Sequence, residues 1–225
     1  MNLRWIPVAD SRALEGEACR RILDAASRAI AQRGRFLLVL SGGDTPRGVY
    51  ARLRDAAADW PRWSAWFGDE RCLPAGNAQR NSTMAQTAWL DHVPIGEVHA
   101  IPAELGAQPA AHAYAQALRG IGDFDLVLLG LGEDGHTASL FPGHDWGAGD
   151  GAPDVLAVLD APKPPPERVS LSAARLCRAR EVLFMVAGAN KREALARWRA
   201  DDDIPARAIR SPGGVDVLVE AGLLG

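Results

Sequence analysis

The run Leu129-Gly130-Leu131-Gly132-Glu133-Asp134-Gly135-His136-Thr137-Ala138-Ser139-Leu140-Phe141-Pro142-Gly143 sets a histidine where an apolar stretch gives way to glycines and small hydroxyl residues. A neutral imidazole can take a proton from water near pH 7. A lone histidine is more commonly structural, but glycines on either side leave the backbone bare and open the ring to a substrate. Asp134, just upstream, stands where it can orient or charge the ring of His136. His136 and His144 lack the spacing and the cysteine partners of a metal site, so no metal is expected. Ser139 is not set in a G-x-S-x-G elbow and is not read as a nucleophile.

Two further loops carry chemistry-bearing residues. Ser41-Gly42-Gly43-Asp44-Thr45-Pro46 follows an apolar run and precedes a helical pattern. Amides at a helix N-terminus make an anion site. The competing reading is a tight turn with Asp44 or Thr45 as N-cap. The loop is neither a Walker P-loop nor a dinucleotide fingerprint, because Gly-Lys-Ser/Thr and G-x-G-x-x-G are both absent. Gly68-Asp69-Glu70-Arg71-Cys72-Leu73-Pro74 groups three charges. Arg71 can fork onto a phosphate or carboxylate, and the alternative is a solvated turn with a local ion pair. Cys72 has no histidine near it in sequence and reads as a small apolar side chain. Pro162 to Pro166 is stiffened towards polyproline II and would deliver Arg168 in a fixed direction.

These loops need elements to hold them. Helical spacing covers Leu14–Arg33, Val49–Ala58, Asn81–Leu90, Ala110–Leu118 and Lys191–Trp198. Short apolar runs at Phe36–Leu40, Trp63–Phe67, Phe124–Leu131, Val182–Ala187 and Val215–Val219 read as buried strands. The alternation predicts an α/β fold, Rossmann-like, with a mainly parallel sheet flanked by helices. Ligands in such folds bind beyond the carboxyl ends of the strands, where the three loops fall. The segment His144–Pro153 reads as a mobile loop.

At 225 residues the chain is long enough for one domain with a substantial core. The net charge of −3 gives no electrostatic case for nucleic acid or anionic membranes. An anionic small substrate must therefore be held by individual cations. Cys19, Cys72 and Cys177 are odd in number and far apart, which fits a reducing cytoplasm. No apolar run is long enough to span a bilayer, and the N-terminus lacks a signal-peptide h-region.

Taken together and in order, the segments SGGDTP, DERCLP, LGLGEDGHTASLFPG, PPPERVSLS and AGANKREAL closely resemble the 6-phosphogluconolactonase family. The resemblance runs from residue 41 to about 195, and GHTASLFPG is its most specific part. It implies a Rossmann-like fold shared with glucosamine-6-phosphate deaminases and ribose-5-phosphate isomerases. It implies hydrolysis of 6-phospho-D-glucono-1,5-lactone to 6-phospho-D-gluconate in the oxidative pentose phosphate pathway, with no cofactor and no metal. The family's catalytic histidine falls on His136, and the acidic residue of its DER segment on Asp69. Its phosphate and substrate contacts fall on Gly42, Gly43, Thr45, Arg71, Arg168 and Lys191. The expected partner is a phosphorylated sugar lactone, bound by a monomer.

One position departs from the pattern. The family commonly has serine or another small neutral residue where this chain has Asp44. A carboxylate repels a phosphate, so Asp44 is expected to cap helix amides or to pair with a nearby cation. Two other functions compete with the lactonase reading. A glucosamine-6-phosphate deaminase would continue after the histidine with a glutamate, and here Thr137-Ala138-Ser139-Leu140-Phe141 follows. A non-catalytic sugar-phosphate sensor would carry a DNA-binding segment, and no spare basic region is present.

Overall fold

The computed structural model describes residues 3–225. Seven strands form one sheet in the order β1 (Leu3–Val8), β10 (Val215–Glu220), β9 (Ala179–Val186), β6 (Phe124–Gly130), β2 (Phe36–Leu40), β3 (Trp63–Phe67), β5 (Glu97–His99). Every pairing within it is parallel. The strands β2 and β3 are buried at every residue, as strands covered on both faces must be. The chain is therefore the doubly wound α/β type expected from its alternating pattern.

The helices follow from the same patterning. Helix α1 (Ser11–Arg33) starts at Asp10, whose carboxylate accepts the Ala13 amide at 2.8 Å. Its stripe of Leu14, Ala18, Ile22, Ala25, Ala26 and Ala29 is buried. Helix α2 is Asp44–Arg54, α3 is Asn81–Ala88 and α4 is Ala107–Ala117. Helices α5 (Ala173–Cys177), α6 (Arg192–Arg199) and α7 (Pro205–Ala208) are short. Helix α2 begins ahead of the Val49 start expected for it, because Pro46 is harmless in a first turn.

Strand order reverses between β2 and β6, which pair through Leu38↔Leu126 and Val39↔Val127. From β2 the chain runs outward to β3 and β5; from β6 it runs the other way to β9 and β10. Loops leaving β2 and β6 must part in opposite directions, and the gap between them is where such folds bind ligands.

A second sheet was not foreseen. It is antiparallel, with order β4 (Asp69–Arg71), β8 (Arg168–Leu171), β7 (Val155–Val158). Its register sets Asp69 opposite Ser170 and Arg71 opposite Arg168. The proline-rich segment is a series of bends rather than polyproline II. It nonetheless holds Arg168: the guanidinium donates to Pro165 O at 3.1 Å, Lys163 O at 2.8 Å and Pro164 O at 3.3 Å. The segment His144–Pro153 is tied down at its start, where Trp146 Nε1 donates to Phe141 O and the Ala173 amide to Trp146 O.

Candidate active site

Aromatic packing beneath the glycine loop fixes its position. Trp60, Trp63 and Trp89 meet edge to face or tilted, with centroids 4.6–5.9 Å apart, and Tyr50 stacks on Trp89 at 5.8 Å. Tyr50, so held on α2, donates its hydroxyl to Ser41 O at 2.8 Å and accepts from Ser41 N at 3.0 Å. Tyr114 on α4 does the same for Phe67, at 3.0 and 2.9 Å. Each buried phenol satisfies both backbone groups at the last turn of a strand, one for β2 and one for β3.

The three residues of β4 then divide by the period of a strand. Asp69 and Arg71 face one side and Glu70 the other. Glu70 is fully buried and accepts the amides of Arg71, Asn81 and Ser82 at 2.7–2.9 Å. It caps α3, which has no capping side chain of its own. That fixes Asn81, whose Nδ2 donates to Asp69 O and Oδ1, both at 2.9 Å. Ser139 Oγ donates to the other Asp69 oxygen at 2.6 Å. Gly42 must lack a side chain, because a methyl there would overlap the Asn81 amide.

Histidine 136 is held as tightly. Its Nδ1 lies 2.5 Å from Asp134 Oδ1, and its amide donates to the same oxygen at 3.2 Å. The ring leans on Phe141, with centroids 4.8 Å apart. Gly132 leaves the space the ring occupies, since a methyl would overlap Nδ1 and Cε1. Burial disfavours the Asp134 carboxylate, but the hydrogen bond and charge of His136 outweigh it. The carboxyl is held well below its usual range. With Nδ1–H given to a carboxylate, Nε2 is the free basic nitrogen. Next to it, Ala138 has φ of +48°, a region costly to non-glycine residues and typical of functional turns.

These parts enclose a cavity of about 260 Å³ lined by Ser41, Gly42, Gly43, Asp69, Arg71, Asn81, Gly130, Leu131, Gly132, His136, Ala138, Arg168 and Lys191. Volume does not single it out, because a crevice of about 670 Å³ opens between Arg35, Asp59 and Glu97 elsewhere. Converging chemistry does. Arg71 and Arg168 stand directly opposite each other on paired strands, an arrangement that repels unless an anion lies between. Burial lowers the Arg168 guanidinium, and Asp69 counters part of that. Burial also lowers the Lys191 ammonium, against the pull of Glu133.

A family model described as glucosamine-6-phosphate isomerases/6-phosphogluconolactonase matches residues 9–218. The chain belongs to this family. A 6-phosphogluconolactonase of Streptomyces coelicolor is 40% identical over 207 residues, covering 83% of this chain and 79% of its own. One from Mycobacterium leprae is 36% identical over 235 residues, 96% of this chain and 93% of its own. A solved 6-phosphogluconolactonase from Thermotoga maritima superposes with a TM-score of 0.88 at 26% identity, covering 97% of this chain and 99% of that one.

Within this glucosamine-6-phosphate isomerase/6-phosphogluconolactonase fold, eight of the nine residues expected from sequence lie at the cavity or against it. Gly42, Gly43, Asp69, Arg71, His136, Arg168 and Lys191 line it, and Asp134 backs the histidine. Thr45 is not among the lining residues. Asp44 does not cap: Gly43 holds the N-cap position, and Asp44 pairs instead with Arg47 at 3.1 Å. Cys72 lies outside the cavity, which keeps it from the site, and burial pushes its thiol up to about 11, so the thiolate is disfavoured. Asn81 was missed as a lining residue. Asparagine after a turn reads only as a helix start, and its link to Asp69 is visible only in space.

Proposed function

We propose that this protein hydrolyses 6-phospho-D-glucono-1,5-lactone to 6-phospho-D-gluconate. Its relatives of that name supply the chemical class. What carries the assignment to these residues is the His136–Asp134 pair opening on one cavity with Arg71, Arg168 and Lys191.

The reaction is acyl transfer to water. Nε2 of His136 takes a proton from a water molecule as its oxygen bonds to the lactone carbonyl carbon. The carbonyl electron pair moves onto oxygen, and the oxyanion is met by Lys191 or by amides of the glycine-rich loops. Collapse of the intermediate restores the carbonyl and breaks the bond to the ring oxygen. That oxygen takes the proton from His136, which returns to its starting form. Proton transfer of this kind is worth about 10²–10⁴-fold. Asp134 fixes the ring tautomer and balances the imidazolium charge. Asp69, engaged by Asn81 and Ser139, orders the floor of the cavity and acts as a positioning residue.

The phosphate is remote from the reacting carbon. Arg71, Arg168 and the amides of Gly42 and Gly43 hold it, so its binding energy serves to align the ring. The chain works as one domain in the cytoplasm. It acts there as a monomer on this reading. Among the described residues no helix is long and apolar enough to cross a membrane.

The deaminase reading is weaker, because the residues lining the cavity include no glutamate to assist ring opening. Acid release from fresh lactone, corrected for spontaneous hydrolysis, tests the choice alongside ammonia release from glucosamine-6-phosphate. Acid without ammonia is expected. Ammonia at an enzymatic rate would reverse the assignment.

A further inference from the structure

A second chamber, of about 420 Å³, adjoins the active cavity and shares Gly43, Arg71 and Asn81 with it. Arg47, Arg71 and Arg80 line this outer chamber, with Pro164 and Pro165 among its other walls. The three arginines are engaged to different degrees. Arg80 is nearly fully buried and donates to Glu104 at 2.8 Å and Ile101 O at 2.8 Å, with Glu70 at 3.4 Å. Arg71 gives Nη1 to Gln79 O, and its Nε is buried without a partner. Arg47 has one ionic partner among the described residues, Asp44 at 3.1 Å, and both side chains are largely exposed, at 60% and 93%.

An exposed pair one helical turn apart is weak, since both ions remain hydrated. Arg47 sits one turn from Gly43, whose carbonyl accepts its amide at 3.1 Å, so its side chain springs from the same turn as the glycine loop. A phosphate monoester carries a charge of about −1.5 to −2 near pH 7, against −1 for a carboxylate. A phosphate bound against Gly43, which both chambers share, can compete with Asp44 for this guanidinium. Asp44 then stays in water, where its charge costs little.

We propose that Arg47 is a specificity-determining residue that captures the phosphate of the incoming substrate, and that Asp44 holds it in reserve until then. This rests on the phosphate lying against the glycine loop, as argued above. It also accounts for a carboxylate beside an anion site: Asp44 acts on the phosphate through Arg47.

A kinetic double-mutant cycle tests the coupling, using Arg47→Ala, Asp44→Asn and the pair on the phosphorylated lactone and on unphosphorylated glucono-1,5-lactone. Arg54→Ala, at the far end of α2, controls for helix charge. Arg47→Ala is expected to raise KM for the phosphorylated lactone about three- to tenfold, with kcat within about twofold. Asp44→Asn is expected to lower that KM about two- to fivefold, and to do nothing once Arg47 is gone. Calorimetry with 6-phosphogluconate and with inorganic phosphate reads the same cycle without turnover. A wild type that binds these anions but lacks lactonase activity would sink the functional reading and leave this one measurable. The proposal fails if Asp44→Asn lowers KM equally with and without Arg47, which is plain repulsion. It fails too if Arg47→Ala matches Arg54→Ala, or affects both lactones alike.

Discussion

Arg71 and Arg168 face each other across β4 and β8, yet they are held differently, and the difference predicts different outcomes. The Arg168 guanidinium donates to three backbone carbonyls of the segment 163–165, while Arg71 donates to Gln79 O alone. Replacing Arg168 with alanine removes three hydrogen bonds at a half-closed wall. At about 0.5–1.5 kcal/mol each, that is roughly 1.5–4.5 kcal/mol of stability. Replacing Arg71 removes one and should cost about 1 kcal/mol. If both hold the phosphate as proposed, each variant also loses a charge-assisted contact worth about 1.5–3 kcal/mol, or roughly ten- to 150-fold in kcat/KM on the phosphorylated lactone. Arg168→Lys keeps the charge but not the planar fork, so it should recover part of the affinity and little of the stability. Urea denaturation supplies the stabilities, and kinetics on phosphorylated and unphosphorylated lactones supply the contact energies. Equal destabilisation by Arg71→Ala and Arg168→Ala would show that the three carbonyl contacts do not anchor Arg168. Loss of the same factor on both lactones by either variant would mean that the phosphate lies elsewhere.

Gly132→Ala pushes a methyl into the space of the His136 ring, and a displaced base should lower kcat about 10²-fold while 6-phosphogluconate still binds; near-normal kcat would show that the ring has room to spare. Asp134→Asn should lower kcat by a comparable factor, about 10²-fold, through loss of the ring's orientation. The same variant changes acid stability. The folded carboxyl of Asp134 lies below its unfolded value of about 3.9, so its contribution is complete above that pH and is lost as pH falls through the folded value. Melting temperatures of wild type and variant should therefore stay a constant distance apart from pH 7 to about pH 4 and draw together, without meeting, between there and pH 2; parallel curves throughout would show that Asp134 gains nothing from the pairing.

The main sheet was legible because its strands are continuous apolar runs. Phe36–Leu40 and Trp63–Phe67 match their expected limits, and Phe124–Gly130 ends one residue early. The edge strands were not. Leu3–Val8 contains Pro7, tolerable only at an edge, and Glu97–His99 is three residues long and mostly exposed. The small antiparallel sheet was hidden for another reason. Asp69–Arg71 is three charged residues, and what makes it a strand is its pairing with Arg168–Leu171, far along the chain. That same pairing brings Arg71 to Arg168. The site residues were legible by chemical type, while the network that aims them was not. Glu70 reads as one more charge in a turn, and only burial reveals it as the cap that sets Asn81 and, through Asn81, Asp69. Asp44 shows the limit from the other side. Its residue type suggested a cap or an ion pair, and the choice fell to Gly43 occupying the cap position.

On the proposed mechanism Nε2 of His136, aimed by Asp134, activates the water that opens the lactone. The most direct test is the single-turnover rate of His136→Ala on fresh 6-phosphogluconolactone, against wild type and the spontaneous background, with 6-phosphogluconate affinity measured by calorimetry on the same preparation. A fall of about 10²–10⁴-fold in rate with affinity retained is expected. A variant that binds the product normally and turns over at close to the wild-type rate would contradict that mechanism.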